Sequence, residues 1–176
     1  MKGAIQMNDI VKRAKNGETQ ALEQLIHMYE IKLYKTARTI LDCEDDINEA
    51  IQQTIILVYK NINQLKNEKS FGAWMFKILV NKCKDIWNQN SNRNNKILDL
   101  DENQDIPSTE KEDYSFVNDA LNKLTDEYKE VTILYYYDGF SVKEISKILN
   151  LPQGTIKSRL SRARKKLEKI IGKEEF

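Results

Sequence analysis

Apolar residues recur along most of this chain at three- and four-residue spacing, the period of a helix that buries one face. Asn8 or Asp9 can cap a first helix to about Lys15, which Asn16-Gly17 stops. A second helix begins near Thr19 and carries Leu22, Leu25, Ile26, Tyr29, Leu33, Ala37 and Ile40 as its stripe. The acidic stretch Asp42 to Asp46 breaks it and supplies caps for a third, striped by Ile47, Ile51, Ile55, Val58 and Ile62. The polar run Asn61 to Lys69 reads as a loop. Ser70 can cap a fourth helix, where Trp74, Phe76, Ile78, Leu79, Cys83, Ile86 and Trp87 alternate with Lys77, Asn81, Lys82 and Lys84. Trp74 reads as core, and the helix is expected to fray over the amide-rich run Asn88 to Asn95.

The pattern lapses at residues 97–113 and resumes near Tyr114. Phe116, Ala120, Leu121 and Leu124 mark one helix. Thr125, with Glu127 in the first turn, can cap the next, which carries Val131, Leu134 and Tyr135 and ends at Asp138-Gly139. Ser141 caps a short helix containing Ile145, Ile148 and Leu149. Asn150-Leu151-Pro152 makes a tight turn, and a last helix runs from about Gln153 to Ile171. The expected fold is all-α: two small helical domains, 1–96 and 114–176, joined by a linker at 97–113.

Charge sharpens this division. Residues 1–96 carry 15 Lys/Arg and 11 Asp/Glu, a net +4; residues 97–113 carry 1 and 7, a net −6; residues 114–176 carry 12 and 9, a net +3. The strip between the two basic blocks contains Pro107 and little apolar material, so it cannot offset the entropy of ordering and reads as a flexible acidic tether. Each basic block suits an anionic partner. Two distant cysteines, Cys43 and Cys83, and one histidine, His27, exclude a CxxC framework and argue against a His/Cys metal site, and all three read as structural. No apolar run reaches the roughly 20 residues of a membrane span, and Met1 to Ile10 lacks an apolar signal core. A cytoplasmic protein without cofactor or metal is expected.

The sharpest local signal is residues 141–169. A short helix, a tight turn and a strongly basic second helix describe a helix-turn-helix. Val142, Ile145, Ile148, Leu149, Leu151, Ile156 and Leu160 would set the angle between its helices. Residues 153–169 hold seven Lys/Arg against one acid, Glu168. Lys143, Gln153, Thr155, Lys157, Ser158, Arg159 and Arg162 are the candidates to meet base edges and phosphates. The residues alone leave other classes open. A stand-alone helix-turn-helix regulator would normally dimerise on a palindrome, and no dimerisation helix is evident. A nucleic-acid enzyme would need a carboxylate-metal cluster, an activated nucleophile or a GxxxxGK[ST] loop, and no such loop occurs.

Ser141-Val142-Lys143-Glu144-Ile145-Ser146-Lys147-Ile148-Leu149 followed by Leu151 to Arg164 resembles the promoter-reading motif of the extracytoplasmic-function (ECF) sigma factors, small specificity subunits of bacterial RNA polymerase. Ala50-Ile51-Gln52-Gln53-Thr54 with Val58-Tyr59-Lys60 is similar to the helix of such factors that docks on core polymerase. Phe71-Gly72-Ala73-Trp74-Met75-Phe76-Lys77-Ile78, then Asn81 and Asp85, is similar to their −10 recognition helix. The likeness extends over nearly the whole chain.

It implies a non-catalytic factor that directs core polymerase to promoters, responding to a stress signal, with no small-molecule substrate. Its partners would be core RNA polymerase, promoter DNA and a cognate anti-sigma factor, of a kind that in the family is often membrane-bound. Docking would use Asp45, Asp46, Glu49, Gln52 and Gln53, of which Glu49, Gln52 and Gln53 share a helix face. Capture of the melted −10 strand would use Lys77, Asn81, Lys84 and Asp85 on one helix face, with Asn63, Lys66 and Asn67 around a pocket for an unstacked base. The −35 duplex would meet the helix from Gln153. The acidic linker would thread the polymerase channels, where its charge repels RNA.

Overall fold

A computed structural model describes the backbone of residues 2–94 and 120–171, with side chains over 7–91 and 120–171. The linker expected at 97–113 and the start of the helix expected from Tyr114 lie outside these residues. Every regular element among the described residues is helical.

Helix α1 spans Lys2–Lys15, so it starts well before the cap expected at Asn8 or Asp9. It ends where Gly17 adopts φ +90°, a left-handed conformation that suits glycine. An Arg13–Glu18 ion pair closes the turn. Helix α2, Thr19–Ala37, buries Ala21, Leu22, Leu25, Leu33, Thr36 and Ala37. It stops short of Ile40, because tighter turns take over: Thr39 N–H bonds to Thr36 O at 3.1 Å and Ile40 N–H to Ala37 O at 3.0 Å. Helix α3, Glu44–Asn61, places Glu44, Asp45 and Asp46 in its first turn, where the helix dipole favours negative charge.

Two short 3₁₀ turns, Ile62–Gln64 and Glu68–Ser70, occupy the expected loop. Helix α4 then spans Phe71–Asn94. Ser70 does not cap it with its side chain, because its hydroxyl donates back to Asn67 O at 2.7 Å. Nor does α4 fray at Asn88. It continues to Asn94, and Asn90 Nδ2 donates to Asp46 Oδ2 at 2.7 Å, which ties its last turns to α3.

Residues 120–122 are helical. Helix α5, Asp126–Thr132, starts at Thr125, whose side chain makes no capping bond; its carbonyl instead accepts from Tyr128 and Lys129 N–H at 2.9 Å. It runs into a π-helical turn, Ile133–Tyr137, closed by Asp138 N–H to Ile133 O at 3.0 Å. The wider turn buries Leu134 and leaves Tyr135, Tyr136 and Tyr137 exposed. Helix α6, Val142–Leu149, begins with a capping box in which Ser141 and Glu144 satisfy each other's backbone N–H. Helix α7 spans Gln153–Ile171, as the periodicity predicts.

Residues of α1 to α4 bury Val11, Leu25, Leu33, Ile47, Met75, Phe76 and Leu79 completely or nearly so. Each such side chain contributes roughly 1.5–3 kcal/mol relative to an exposed one. The core does not end at α4. It continues into Val131, Leu134, Phe140, Ile145, Ile148, Ile156 and Leu160 as one apolar cluster. Helix α6 lies against α4, and the Phe140 ring meets Phe76 edge-on with centroids 4.9 Å apart. The two helical halves, expected as tethered units, are therefore packed together.

Candidate nucleic-acid interface

The helix-turn-helix is α6, the turn and α7. Ile145, Ile148, Leu149, Ile156, Leu160 and Ala163 are buried between them and against neighbouring helices. Asn150 caps α6 in the left-handed conformation, φ 55°. The turn is then locked twice by one residue: Leu151 N–H bonds to Ser146 O at 3.1 Å, and Ser146 Oγ donates to Leu151 O at 2.5 Å. Ser146 was not singled out by motif reasoning; only the folded turn shows why a small hydroxyl belongs there.

Helix α7 buries Ile156, Leu160 and Ala163 on one side. At 100° per residue, Ser158, Arg162, Lys165 and Lys169 fall on the opposite side, and all four are exposed. Gln153 and Lys157 are exposed beside them, Lys143 is exposed on α6, and Thr155 is half-buried. These residues form a basic face open to a duplex. Arg159 departs from this pattern. It is 18% exposed and pairs with Glu127 Oε1 of α5 at 2.8 Å, so it must leave a partner before it can reach DNA. Arg164 is also engaged, its Nε donating to Tyr136 Oη at 3.2 Å.

A second exposed basic stripe lies on α4. Lys77, Asn81, Lys84 and Asp85 all face solvent along one side. Asp85 sits 3.3 Å from the Lys82 ammonium, and Lys84 stands 3.8 Å from Glu130 of α5. The preceding loop is held by α1: Lys15 donates to Leu65 O at 2.7 Å and to Glu68 Oε1 at 2.8 Å. That ammonium pulls the Glu68 carboxyl below its ordinary range.

Asn63 and Lys66 are exposed on this loop, but Asn67 is committed to it, its Oδ1 accepting from Lys69 N–H at 3.0 Å. A cleft of about 340 Å³ does open beside the loop. Its walls are Met7, Asn8, Tyr29, Glu68, Lys69, Phe71 and Gly72, not Asn63, Lys66 or Asn67. Gly72 is required by the close approach of Tyr29, because a Cβ there would sit 2.9 Å from Tyr29 Oη.

The α3 face divides in a similar way. Asp45, Glu49 and Gln52 are exposed. Asp46 is half-buried and accepts from Asn90, while Gln53 donates to Glu49 Oε1 at 2.8 Å. Ile56 and Tyr59 extend this face and are 48% and 63% exposed. Periodicity could have found them, since both fall outside the buried stripe of Ile47, Ala50, Thr54 and Val58.

The three residues read as structural separate on inspection. Cys83 is buried, and burial pushes its thiol up to about 12. Cys43 is exposed. His27 is 87% exposed beside Glu30, at 3.2 Å, so it packs into no core. Among the described residues no group of three His, Cys, Asp or Glu is placed to hold a metal, and no helix is long and apolar enough to cross a membrane.

Two family models match this chain: Sigma-70 region 2 over residues 25–93 and Sigma-70, region 4 over residues 117–167. The first covers α2 to α4 in nearly their entirety, and the second covers α5, α6 and most of α7. The chain is similar to the ECF RNA polymerase sigma-E factor of Haemophilus influenzae, 29% identical over 177 residues that cover 92% of this chain and 93% of that one. It is also similar to the ECF RNA polymerase sigma factor SigW of Bacillus subtilis, 27% identical over 182 residues, 92% of this chain and 94% of the other.

Among solved structures, CnrH in complex with the cytosolic domain of CnrY superposes with a TM-score of 0.67 at 22% identity, over 94% of this chain and 97% of that one. The sigma factor RpoE in complex with the anti-sigma factor NepR from Bartonella quintana gives 0.68 at 23%, over 85% and 96%. At these identities the superpositions speak for the fold. Both family models, in the family's order along one chain, and full-length relatives from two distant bacteria lead to one conclusion: the chain belongs to the sigma-70 factors of RNA polymerase, in the ECF group.

Proposed function

We propose that this chain is a promoter-specificity subunit of RNA polymerase that works without catalysis of its own. One observation carries the reading: two separate exposed basic faces, on α4 and α7, lie within the segments matched by the two sigma-70 models. Residues 1–96 form the unit that docks on core polymerase and captures the melted −10 strand. Asp45, Glu49 and Gln52 meet the polymerase, with Ile56 and Tyr59 adding apolar contact. Lys77, Asn81, Lys84 and Asp85 face single-stranded DNA, where basic groups track phosphates. Residues 97–113 tether this unit to residues 114–176, whose helix α7 enters the major groove of the −35 duplex through Gln153, Lys157, Ser158 and Arg162.

Acting on promoters places the protein in the cytoplasm. CnrH and RpoE were each solved with a bound regulator, and by that analogy a cognate anti-sigma factor holds this chain inactive until a stress signal arrives. Run-off transcription tests the reading, with core polymerase from the source bacterium and fragments of its genome. The expected result is a set of transcripts that start downstream of a shared pair of elements, only when the protein is present. Core-independent duplex binding with no transcript would replace this reading with a stand-alone regulator.

A further inference from the structure

The seam between the two halves is built unevenly. Its centre is apolar: Phe140 packs on Phe76 and reaches the backbone of Gly72, where a Cβ would come within 3.5 Å of the ring. On either side of that centre sits a buried carboxylate. Asp138 accepts from Thr36 Oγ1 of α2 at 2.9 Å through Oδ2, but its Oδ1 is buried with no hydrogen-bond partner. Glu130 faces α4, and its Oε1 is likewise buried without one, the Lys84 ammonium stopping at 3.8 Å. Lys32 lies close to Asp138 and donates to its backbone carbonyl at 3.1 Å, not to the unpartnered Oδ1. Lys35 sits over the Tyr137 ring, 4.2 Å from its centroid. Both carboxylates thus lose water on closure and regain only part of what water supplied.

Closure also conflicts with the proposed task, on which this inference rests. Helices α4 and α6 touch, so the −10 and −35 readers belong to one packed body. Promoter elements centred about 25 base pairs apart are separated by about 85 Å of duplex at about 3.4 Å per pair. The 17 tether residues 97–113 can span about 56–61 Å when extended, and each reader adds the breadth of its own helical unit. The chain can therefore reach both elements, but only with the seam open.

We propose that the seam is an autoinhibitory latch: Phe140 on Phe76 holds it shut, and the under-partnered carboxylates of Asp138 and Glu130 keep it weak enough for polymerase and promoter to open. The latch is also sensitive to protons. Burial raises the Asp138 carboxyl to about 6 and pushes Glu130 up as well. The charged groups facing Asp138 are Lys32 and Lys35 of α2; those around Glu130 are Lys84 of α4, Arg159 of α7 and Glu127 of α5. A carboxyl that titrates higher when buried binds its proton more tightly in the closed form. Acid therefore favours closure and alkali favours opening. For Asp138 alone, passing from pH 8 to pH 5 shifts the closed-to-open ratio about 10-fold towards closed.

The test is a distance measurement between spin labels on the full chain. Labels go on Gln24→Cys and Lys147→Cys, both exposed positions outside the proposed DNA and polymerase contacts, in a Cys43→Ser background; Cys83 is buried and stays unlabelled. The free chain should show one short, narrow distance at pH 7. Thr36→Val, which strips Asp138 of its partner without touching the second half, should add a long-distance population, as should Phe140→Ala. Asp138→Asn with Glu130→Gln should abolish the pH response and lower both apparent polymerase affinity and run-off transcription several-fold, because polymerase must then open a tighter seam. A free chain that already shows broad, long distances would overturn the latch. So would distances unmoved by all four substitutions. If the sigma reading alone is wrong, no variant yields transcript but the distances still respond.

Discussion

Among the candidate −35 readers on α7, Arg159 is the one held in an ion pair by another described residue, so freeing it should strengthen promoter binding. Its guanidinium is 18% exposed and lies 2.8 Å from Glu127 Oε1, while Glu127 itself is 64% exposed. An ion pair with one solvated partner is worth about 0.2–1 kcal/mol. An arginine on a base or phosphate contributes about 1–3 kcal/mol. DNA therefore wins the competition, but the pair subtracts from the gain.

Glu127→Ala should tighten binding of the holoenzyme to a −35-containing duplex by about 2- to 5-fold through Arg159. A further, smaller gain follows from removing a negative charge near DNA. Arg159→Ala should weaken binding by about 5- to 150-fold. The double mutant separates the two contributions, because the charge effect survives in the Arg159→Ala background and the release effect does not. The assay is fluorescence anisotropy at fixed salt, with all four proteins on one duplex. An equal effect of Glu127→Ala in both backgrounds would mean that Arg159 does not reach DNA even when freed, and would strike it from the reading face. Arg162→Ala is the reference: exposed and in no ion pair with another described residue, it should weaken binding and lower the salt slope by about 1.

Other outcomes follow from the same geometry. Tyr59→Ala, which removes an aromatic ring 63% exposed on α3, should lower polymerase affinity by at least 10-fold, more than Gln52→Ala with Gln53→Ala; competition against another sigma factor measures both, and no change would take α3 out of the docking face. Ser146→Ala loses the 2.5 Å bond that closes the helix-turn-helix turn and should cost about 1 kcal/mol in urea unfolding. Stability should also depend on pH through Asp138. Its carboxyl is raised from 3.8 to about 6 in the fold, so its contribution is complete below pH 3.8 and is lost as pH rises through 6. Asp138→Asn should flatten that part of the curve, and an unchanged profile would show that Asp138 is solvated.

Much of the site was legible because a helix couples local sequence to surface position. Lys77, Asn81, Lys84 and Asp85 share a face in any helix that contains them, and so do Ser158, Arg162 and Lys165. The loop residues fared differently, since no period governs a loop. Asn67, though exposed, caps its own turn, and the cleft takes its walls from Glu68 and Lys69 of the loop together with α1, α2 and α4. His27, read as structural, stands exposed instead of packing into a core, because one polar position beside Ile26 looks alike whether it faces core or solvent.

The sequence by itself determined the all-α class, the cap at Ser141, the helix stops at Asn16-Gly17 and Asp138-Gly139, and the helix-turn-helix. Each rests on residues within a few positions of one another, where backbone geometry and side-chain chemistry act directly. The tertiary structure alone decided the pairing of Arg159 with Glu127, of Thr36 with Asp138 and of Phe76 with Phe140. These partners stand 32, 102 and 64 residues apart. No periodicity links such positions; the first pair meets because α5 packs on α7, and the other two because closing the two halves removes apolar surface from water, a burial that strands two carboxylates at the seam.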